Sequence, residues 1–291
     1  MMQSVSSETL NKYYQVGWER RWLSWLNQEG LPGDAGYKLR LRRTRDLIAR
    51  TPHDRFRLLD AGCGVGIYTV QCARRFPYAT GLGLDLSASQ MGAATALAKQ
   101  FHVNDRLRFE TCDLTTTALE SYEQHAWDVV LVTEVLEHLT DPLPVLRRIR
   151  NLVAPGGQVL VSVPQYTPDT PDDTDHGWVY HRVLSGGTNF DAVESMDPAA
   201  LPNGEIYTYY HRHYRYEEML KLLQQAGLEP SRFRTVFWQK PKVHTGVLWS
   251  GLDYLVQRTA WKWLDAAMLR MTGPEWGHNL LWDCRVAESS R

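Results

Sequence analysis

The chain has 291 residues, of which 43% are hydrophobic and 22% are charged, and its formal net charge at pH 7 is −1. This length and composition predict one large globular domain, or one domain with insertions. The balanced charge excludes a broad basic field, so we expect no bulk nucleic-acid partner.

The first 50 residues are predicted to be helical and rich in aromatic side chains. Two interpretations remain open for residues 1–50, a lid over a ligand and ordinary helix packing. The last helix of this segment is amphipathic, and its inward positions are Tyr37, Leu41, Thr44, Leu47 and Ile48. We interpret its arginines as a solvated face; they are Arg40, Arg42, Arg43 and Arg45.

A buried strand is predicted over residues 56–61, where Leu58 and Leu59 precede an acid, Asp60. A G-x-G-x-G turn follows, with its glycines at Gly62, Gly64 and Gly66. Glycine adopts positive φ easily and lets a ligand approach the backbone, and the N–H groups that open the next helix face that ligand. Ile67 stands where the dinucleotide fingerprint has glycine, so that fingerprint is excluded.

A second acid, Asp85, ends the next predicted strand, residues 80–85. An acid at this place in a strand-helix unit binds both hydroxyls of a ribose. Further strands are predicted at 107–111, 127–133 and 158–163, alternating with helices after Ser87 and after Asp141-Pro142. This alternation predicts a doubly wound parallel sheet.

The remaining third of the chain contains a long excursion, a helix and two more strands. Residues 165–215 hold the Pro/Gly/Asp-rich excursion, which we interpret as a substrate lid because loops of this length are usually functional. A helix at 216–226 and strands at 232–238 and 282–287 follow, and they enclose an insertion at 240–281.

The insertion at 240–281 is predicted to form amphipathic helices with many tryptophans. Four roles are open for it: core beneath the sheet edge, roof over a substrate, homodimer contact, or peripheral membrane contact through its basic side.

Five motifs occur in a characteristic order. They are D-A-G-C-G-V-G (60–66), G-L-D-L-S (83–87), C-D-L (112–114), D-V-V-L-V-T-E-V-L-E-H-L (128–139) and A-P-G-G-x-V-L-V-S-V-P (154–164). In this order the chain resembles the class I S-adenosylmethionine-dependent methyltransferases over about residues 55–165, with a weaker match to 240. The resemblance implies a Rossmann-like, seven-stranded, doubly wound α/β sheet. It divides the chain into an N-terminal helical lid (1–50) and a methyltransferase domain (51–291).

The resemblance also implies which residues bind the cofactor, S-adenosylmethionine. Asp60 would hold the methionine ammonium, Asp85 the ribose hydroxyls, and Asp113 the adenine amino group. The full implied set is Asp60, Gly62, Cys63, Gly64, Gly66, Asp85, Leu86, Cys112, Asp113, Leu114, Thr133 and, from the lid, Tyr14. The alternative for Asp60 and Asp113 is that each caps a turn or a helix.

The fourth predicted strand ends in an E-x-x-E-H motif formed by Glu134, Glu137 and His138, which share one face if the segment is helical. The motif is similar to that of ubiquinone-pathway O-methyltransferases and of Hen-type small-RNA 2′-O-methyltransferases, which add a downstream histidine; His211 fits that place here, and His213 fits it less neatly. The resemblance implies a divalent cation, Mg or Zn, held by Glu134, Glu137, His138 and His211. Such a cation would lower the pKa of the acceptor hydroxyl. In the alternative without metal, the glutamates and histidines shape the pocket and His138 or His211 is the base.

These features together predict a methyltransferase that acts on a hydroxyl of a small aromatic or lipophilic molecule. Other acceptors remain open, namely nitrogen or carbon of a small molecule and, less favoured by the balanced charge, RNA 2′-oxygen. A non-catalytic S-adenosylmethionine-binding module is the alternative from another class. The four scattered cysteines, without a C-x-x-C pair, a signal peptide or an apolar run of about 18 residues, predict a cytoplasmic protein.

Overall fold

The computed structural model describes residues 35–48, 55–166, 178–184, 206–238 and 277–286, and their side chains except at 35–39, 124–125, 178–184, 206–211, 236–238 and 277–278. The α-helices are α1 (Ala35–Ile48), α2 (Ile67–Arg75), α3 (Ala88–Gln100), α4 (Leu143–Leu152) and α5 (Tyr216–Gln225). The strands are β1 (Arg57–Ala61), β2 (Thr80–Asp85), β3 (Leu107–Thr111), β4 (Trp127–Thr133), β5 (Val153–Pro164), β6 (Trp178–Leu184), β7 (Ile206–Arg212), β8 (Leu228–Trp238) and β9 (Gly277–Val286). Two 3₁₀ helices span Thr117–His125 and Leu136–His138.

The strands form a seven-stranded sheet in the order β3-β2-β1-β4-β5-β9-β8. The first five are parallel, and β9 runs antiparallel to both β5 and β8. This arrangement confirms the predicted Rossmann-like α/β sheet. Strand order reverses between β1 and β4, and in open α/β sheets ligands bind at the carboxyl ends of the strands beside such a reversal.

Helices cover both faces of the sheet because the central strands are apolar on both sides. Leu58 packs with α1 and α2 on one face, while its neighbour Leu59 packs with α4 and α5 on the other. Successive side chains of a strand point to opposite faces, so a run of apolar residues serves both cores. The predicted inward positions of α1 that are described are all buried, namely Leu41, Thr44, Leu47 and Ile48.

The strand boundaries differ from prediction mainly where β-structure is longer than expected. β5 already begins at Val153, through Pro155-Gly156-Gly157, because Val153 pairs with Trp127 of β4. β8 and β9 both extend beyond the predicted ranges, and each lengthens by pairing with the other. Inside the excursion at 165–215, β6 and β7 form an unpredicted two-stranded antiparallel ribbon.

Two predicted regions lie outside the described residues. These are the lid residues before Ala35, including Tyr14, and the insertion between β8 and β9. All four roles of the insertion therefore stay predictions: core, roof, homodimer contact and membrane contact. All four cysteines are free thiols. Among the described helices, none combines the length and apolarity needed to cross a bilayer.

Candidate functional site

The glycine-rich turn lies where β1 gives way to α2, at the carboxyl edge of the sheet. The backbone N–H groups of Gly62 and Cys63 both donate to the carbonyl of Leu84, at 2.7 and 2.9 Å. Gly62 has φ 83°, and a Cβ there would lie 2.2 Å from Cγ2 of Val135. Only glycine therefore fits between β1 and the segment after β4, and the turn passes directly beside the E-x-x-E-H motif.

Asp85 ties the glycine-rich turn to the end of β2. Its Oδ2 accepts a hydrogen bond from the N–H of Gly64 at 2.9 Å, and its Oδ1 accepts from the N–H of Ser87 at 3.0 Å. Burial raises the pKa of this carboxyl, although the backbone bonds from Ser87 and Gly64 oppose the shift. Each oxygen has a second lone pair, so the carboxylate can still accept two hydroxyl donors.

Asp60 is fully buried beneath the turn. Its Oδ2 accepts a 2.6 Å hydrogen bond from the hydroxyl of Thr69, whereas its Oδ1 has no hydrogen-bond partner among the described residues. Burial raises the pKa of Asp60 to about 7, and the nearby Asp85 charge adds to the shift. A buried carboxyl oxygen without a donor is costly unless a ligand supplies one.

The segment after β3 brings Cys112, Asp113 and Leu114 to the same edge of the sheet. The N–H of Cys112 donates to the carbonyl of Asp85 at 2.8 Å. Oδ1 of Asp113 accepts from the N–H of Thr115 at 2.9 Å and from its hydroxyl at 2.6 Å. Asp113 therefore caps its own turn, as the alternative interpretation expected, and this leaves its Oδ2 for another donor.

Glu134 follows β4 in an unusual backbone conformation with φ 57°. Its N–H donates to the carbonyl of Ser162 at 2.9 Å, and this bond fixes the turn against β5. Three side chains converge on the carboxylate: Arg40 at 2.7 Å, Ser162 at 2.8 Å, and the amide of Asn279 at 3.2 and 3.0 Å. The Nε of Arg40 donates in turn to the hydroxyl of Tyr68 at 3.0 Å.

This arrangement corrects two sequence interpretations. The E-x-x-E-H residues do not share one helical face, because the left-handed φ of Glu134 precedes a 3₁₀ helix that covers only Leu136–His138. Arg40 does not belong to a solvated face, because its side chain is only 14% exposed and is paired with Glu134.

The predicted cation ligands Glu134, Glu137, His138 and His211 do not assemble into a metal site in the part of the chain that the structure describes. The side chain of His211 lies outside that part. The carboxylate oxygens of Glu134 already accept four hydrogen bonds, one of them from a guanidinium, and a carboxylate offers about four lone-pair positions. The described donor set therefore does not fit a divalent cation.

Glu137 and His138 form a pair at the floor of the site. Oε1 of Glu137 lies 3.9 Å from Nε2 of His138, and the side chains are 4% and 17% exposed, respectively. Burial raises the pKa of Glu137 well above its usual range, and the charge of Glu134 adds to that shift. Of the two side chains, His138 is the one more open to an acceptor.

β7 and the segment that follows it pack against the 3₁₀ helix that carries Glu137 and His138. β7, which carries His211, packs beside the 3₁₀ helix of His138. The buried hydroxyl of Tyr214 donates to the carbonyl of Leu136 at 3.0 Å, and this bond anchors the segment after β7 beneath the motif. Nδ1 of His213 lies 3.1 Å from the carbonyl of Gln165, so the weaker alternative histidine contacts the backbone after β5.

Sequence reasoning missed four residues around Glu134: Arg40, Tyr68, Ser162 and Asn279. Arg40 and Asn279 are 94 and 145 positions away from Glu134 along the chain. Tertiary structure alone brings them there: α1 packs against β8 and β9, and Asn279 pairs with Pro164 of β5 across the sheet. The available signal was the polar Asn279 directly before the apolar residues of β9.

Comparison with known proteins agrees with this geometry. Residues 34–231 match a family model described as a methyltransferase domain. The chain is similar to the ubiquinone biosynthesis O-methyltransferase of Ruegeria pomeroyi, at 31% identity over 67% of this chain and 71% of that protein. It is also similar to the enzyme of the same name from Psychrobacter cryohalolentis, at 34% identity over 50% of this chain and 55% of that protein, so here it spans about half the relative's length.

A solved structure shows the same fold. The [4+2]-cyclase SpnF matches with a TM-score of 0.60 at 18% identity, over 97% of each chain. At this identity the likeness supports the fold alone.

Proposed function

The chain belongs to the class I S-adenosylmethionine-dependent methyltransferases, and we propose that it methylates a hydroxyl oxygen of a small aromatic or lipophilic molecule. The similarity to ubiquinone biosynthesis O-methyltransferases supports oxygen as the acceptor atom. The bound cofactor supplies a methyl group on a sulfonium whose leaving group is neutral. The work left to the chain is to align the acceptor and to remove the hydroxyl proton.

The observation that carries this proposal is the Glu137–His138 pair after β4. A hydroxyl acceptor needs a base, and the imidazole of His138 is partly exposed on the segment after β4, whose Val135 lies against Gly62 of the glycine-rich turn. Glu137, whose Oε1 lies 3.9 Å from Nε2 of His138, acts by positioning that imidazole. His211, on the neighbouring β7, is the second candidate base, and Glu134 acts by positioning.

The cofactor residues are assigned by position around the turn. Asp60 holds the methionine ammonium through the buried Oδ1 that lacks a donor, and Asp85 accepts from both ribose hydroxyls. Leu86 packs on the adenine face, and Asp113 accepts from the adenine amino group. The other described residues assigned to the cofactor are Gly62, Cys63, Gly64, Gly66, Cys112, Leu114 and Thr133. Tyr14 lies outside the described residues, and its assignment comes from the resemblance alone.

A product assay tests the choice of acceptor. The protein is incubated with methyl-labelled S-adenosylmethionine and matched pairs of phenols and anilines of increasing lipophilicity. We expect labelled methyl ethers from the phenols. Labelled amines without any ether would overturn oxygen as the acceptor.

Replacing His138 with asparagine is expected to lower turnover by roughly 10²-fold, because a positioned general base contributes about that much or more. The affinity for S-adenosylhomocysteine, measured by titration calorimetry, should stay within about twofold of the wild type. The matched variant His213→Asn, whose ring contacts backbone after β5, should keep most of the activity. Equal losses in both variants would contradict the role of His138.

Asp60 is expected to make cofactor binding depend on pH. With a pKa of about 7 the carboxyl is protonated in acid, and a bound ammonium requires its charged form. The affinity for S-adenosylhomocysteine should therefore rise roughly 20-fold between about pH 5.5 and about pH 7.5. The Asp60→Asn variant should bind S-adenosylhomocysteine more weakly, and its affinity should no longer depend on pH in this range. Calorimetry in two buffers of different ionisation enthalpy should show that the wild type releases a proton on binding below about pH 7.

The same shift predicts how the ligand-free protein responds to pH. Because burial raises the pKa of folded Asp60 above its usual value of 3.8, the protonated carboxyl contributes its full stability below about pH 3.8. It is lost as the pH rises through about 7. Saturating S-adenosylhomocysteine should remove this loss, and an unchanged profile in Asp60→Asn would contradict the assignment.

A further inference from the structure

The negative charge of Glu134 in the E-x-x-E-H motif is balanced by Arg40, which lies outside the motif. Glu134 is 23% exposed and Arg40 is 14% exposed, so their 2.7 Å contact is largely withdrawn from water. Charge-assisted hydrogen bonds of this kind are short and strong. The helix that carries Arg40 is itself fixed, because Leu41 and Thr44 are buried next to it.

The surroundings of Glu134 are otherwise those of a site for a hard cation. The hydroxyl of Ser162 and the side-chain amide of Asn279 both lie within 3.2 Å of the carboxylate of Glu134. Carboxylate, hydroxyl and amide oxygens are the ligands that Mg²⁺ and Mn²⁺ prefer, and an amide can turn its oxygen or its nitrogen toward a neighbour. The feature that distinguishes this cluster from a metal site is the guanidinium of Arg40, which binds Oε2 of Glu134.

We propose that Arg40 is the resident cation of the motif in this chain, and that it occupies the place of a divalent metal ion. Its guanidinium neutralises Glu134, while its Nε–H bond to Tyr68 fixes the distance between α1, α2 and the end of β4. Arg40 is thus a positioning residue: it holds Glu134 against Ser162 and Asn279 and keeps the turn after β4 beside the cofactor turn.

Titration with Mn²⁺ alone tests whether Arg40 takes the place of a metal ion. Bound Mn²⁺ is measured by electron paramagnetic resonance. Chelator-treated wild type is expected to bind no Mn²⁺ at concentrations up to about 1 mM. Arg40→Gln removes the guanidinium and keeps a polar side chain, so it should gain one Mn²⁺ site with a Kd on the order of 1 mM, as for weak oxygen-ligand sites. The matched double variant Arg40→Gln/Glu134→Gln should lose that site again.

Stoichiometric Mn²⁺ binding by the wild type would overturn the proposal, whatever the variants do, and so would an Arg40→Gln protein that gains no site. Circular dichroism and a cooperative thermal unfolding transition establish that each variant is folded. Arg40→Lys keeps the positive charge and is expected to bind no Mn²⁺, which separates loss of charge from loss of packing. None of these measurements uses the acceptor, so failure of the O-methylation proposal would leave them unaffected.

Discussion

Replacing Asp85 with alanine is expected to weaken the binding of S-adenosylhomocysteine by roughly 10²- to 10⁴-fold. Two hydrogen bonds from ribose hydroxyls to a carboxylate contribute about 1.5–3 kcal/mol each, so their loss amounts to about 3–6 kcal/mol. The same carboxylate accepts the N–H groups of Gly64 and Ser87, and these donors lose their partner as well. Titration calorimetry with S-adenosylhomocysteine measures the effect directly.

Asp85→Asn separates ligand binding from the shape of the turn. The amide keeps one acceptor oxygen for the turn and removes a charge that burial penalises, as the raised pKa of Asp85 indicates. Its NH2 group, however, faces one of the two backbone N–H donors of Gly64 and Ser87, so the ligand-free asparagine variant should lose less thermal stability than Asp85→Ala, while its affinity falls by about 10- to 100-fold. Unchanged affinity in both variants would show that the ribose is bound elsewhere and would remove the main support for this cofactor site.

The features that sequence analysis predicted correctly are those fixed by neighbours along the chain. The turn at Gly62 requires positive φ, and the residues on both sides of it are adjacent in sequence. Asp85 is positioned by its place at the end of β2, and the inward face of α1 follows from helical periodicity. Local chemistry and helical periodicity were sufficient to predict these positions.

The polar network around Glu134 could not be predicted in this way. Its members come from α1, α2, β5 and β9, and their contact depends on the register of β9 against β5. Helical periodicity shows that Arg40 borders the buried face of α1. It does not show that the side chain of Arg40 points toward the end of β4 rather than toward solvent. The helical reading of E-x-x-E-H failed for a related reason, because the left-handed backbone at Glu134 stops a helix from forming there.

The ribbon of β6 and β7 was missed because both strands lie in a segment dominated by turn-forming residues. Their pairing joins Trp178 to Arg212 and Leu184 to Ile206, across more than 20 intervening residues. No short turn signal marks such a pair, whereas hairpins with tight turns are recognisable. The ribbon places β7 beside the 3₁₀ helix that carries His138.

A second large effect is expected far from the cofactor, at a buried ion pair that holds β8 to β9. Asp283 is fully buried; its carboxylate contacts Arg232 and accepts the side-chain amide of Gln158 at 2.7 Å. Arg232→Met would leave this carboxylate buried without its cation. Removing one partner of a buried pair costs about 3–5 kcal/mol, so we expect the midpoint of thermal unfolding to fall by about 6–15 °C.

The matched double variant Arg232→Met/Asp283→Asn decides the cause. An asparagine is neutral and keeps an acceptor for Gln158, so it should recover most of the stability that Arg232→Met loses. Equal instability of the single and double variants would mean that packing of the arginine stem, not the unpaired charge, holds β8 in place. Asp283 lies four positions after Asn279 on the same strand, or about 13 Å along it at 3.3 Å per residue. The folded fraction of each variant should therefore bind S-adenosylhomocysteine as wild type does, because the charges that stabilise the sheet edge are separate from those that surround Glu134.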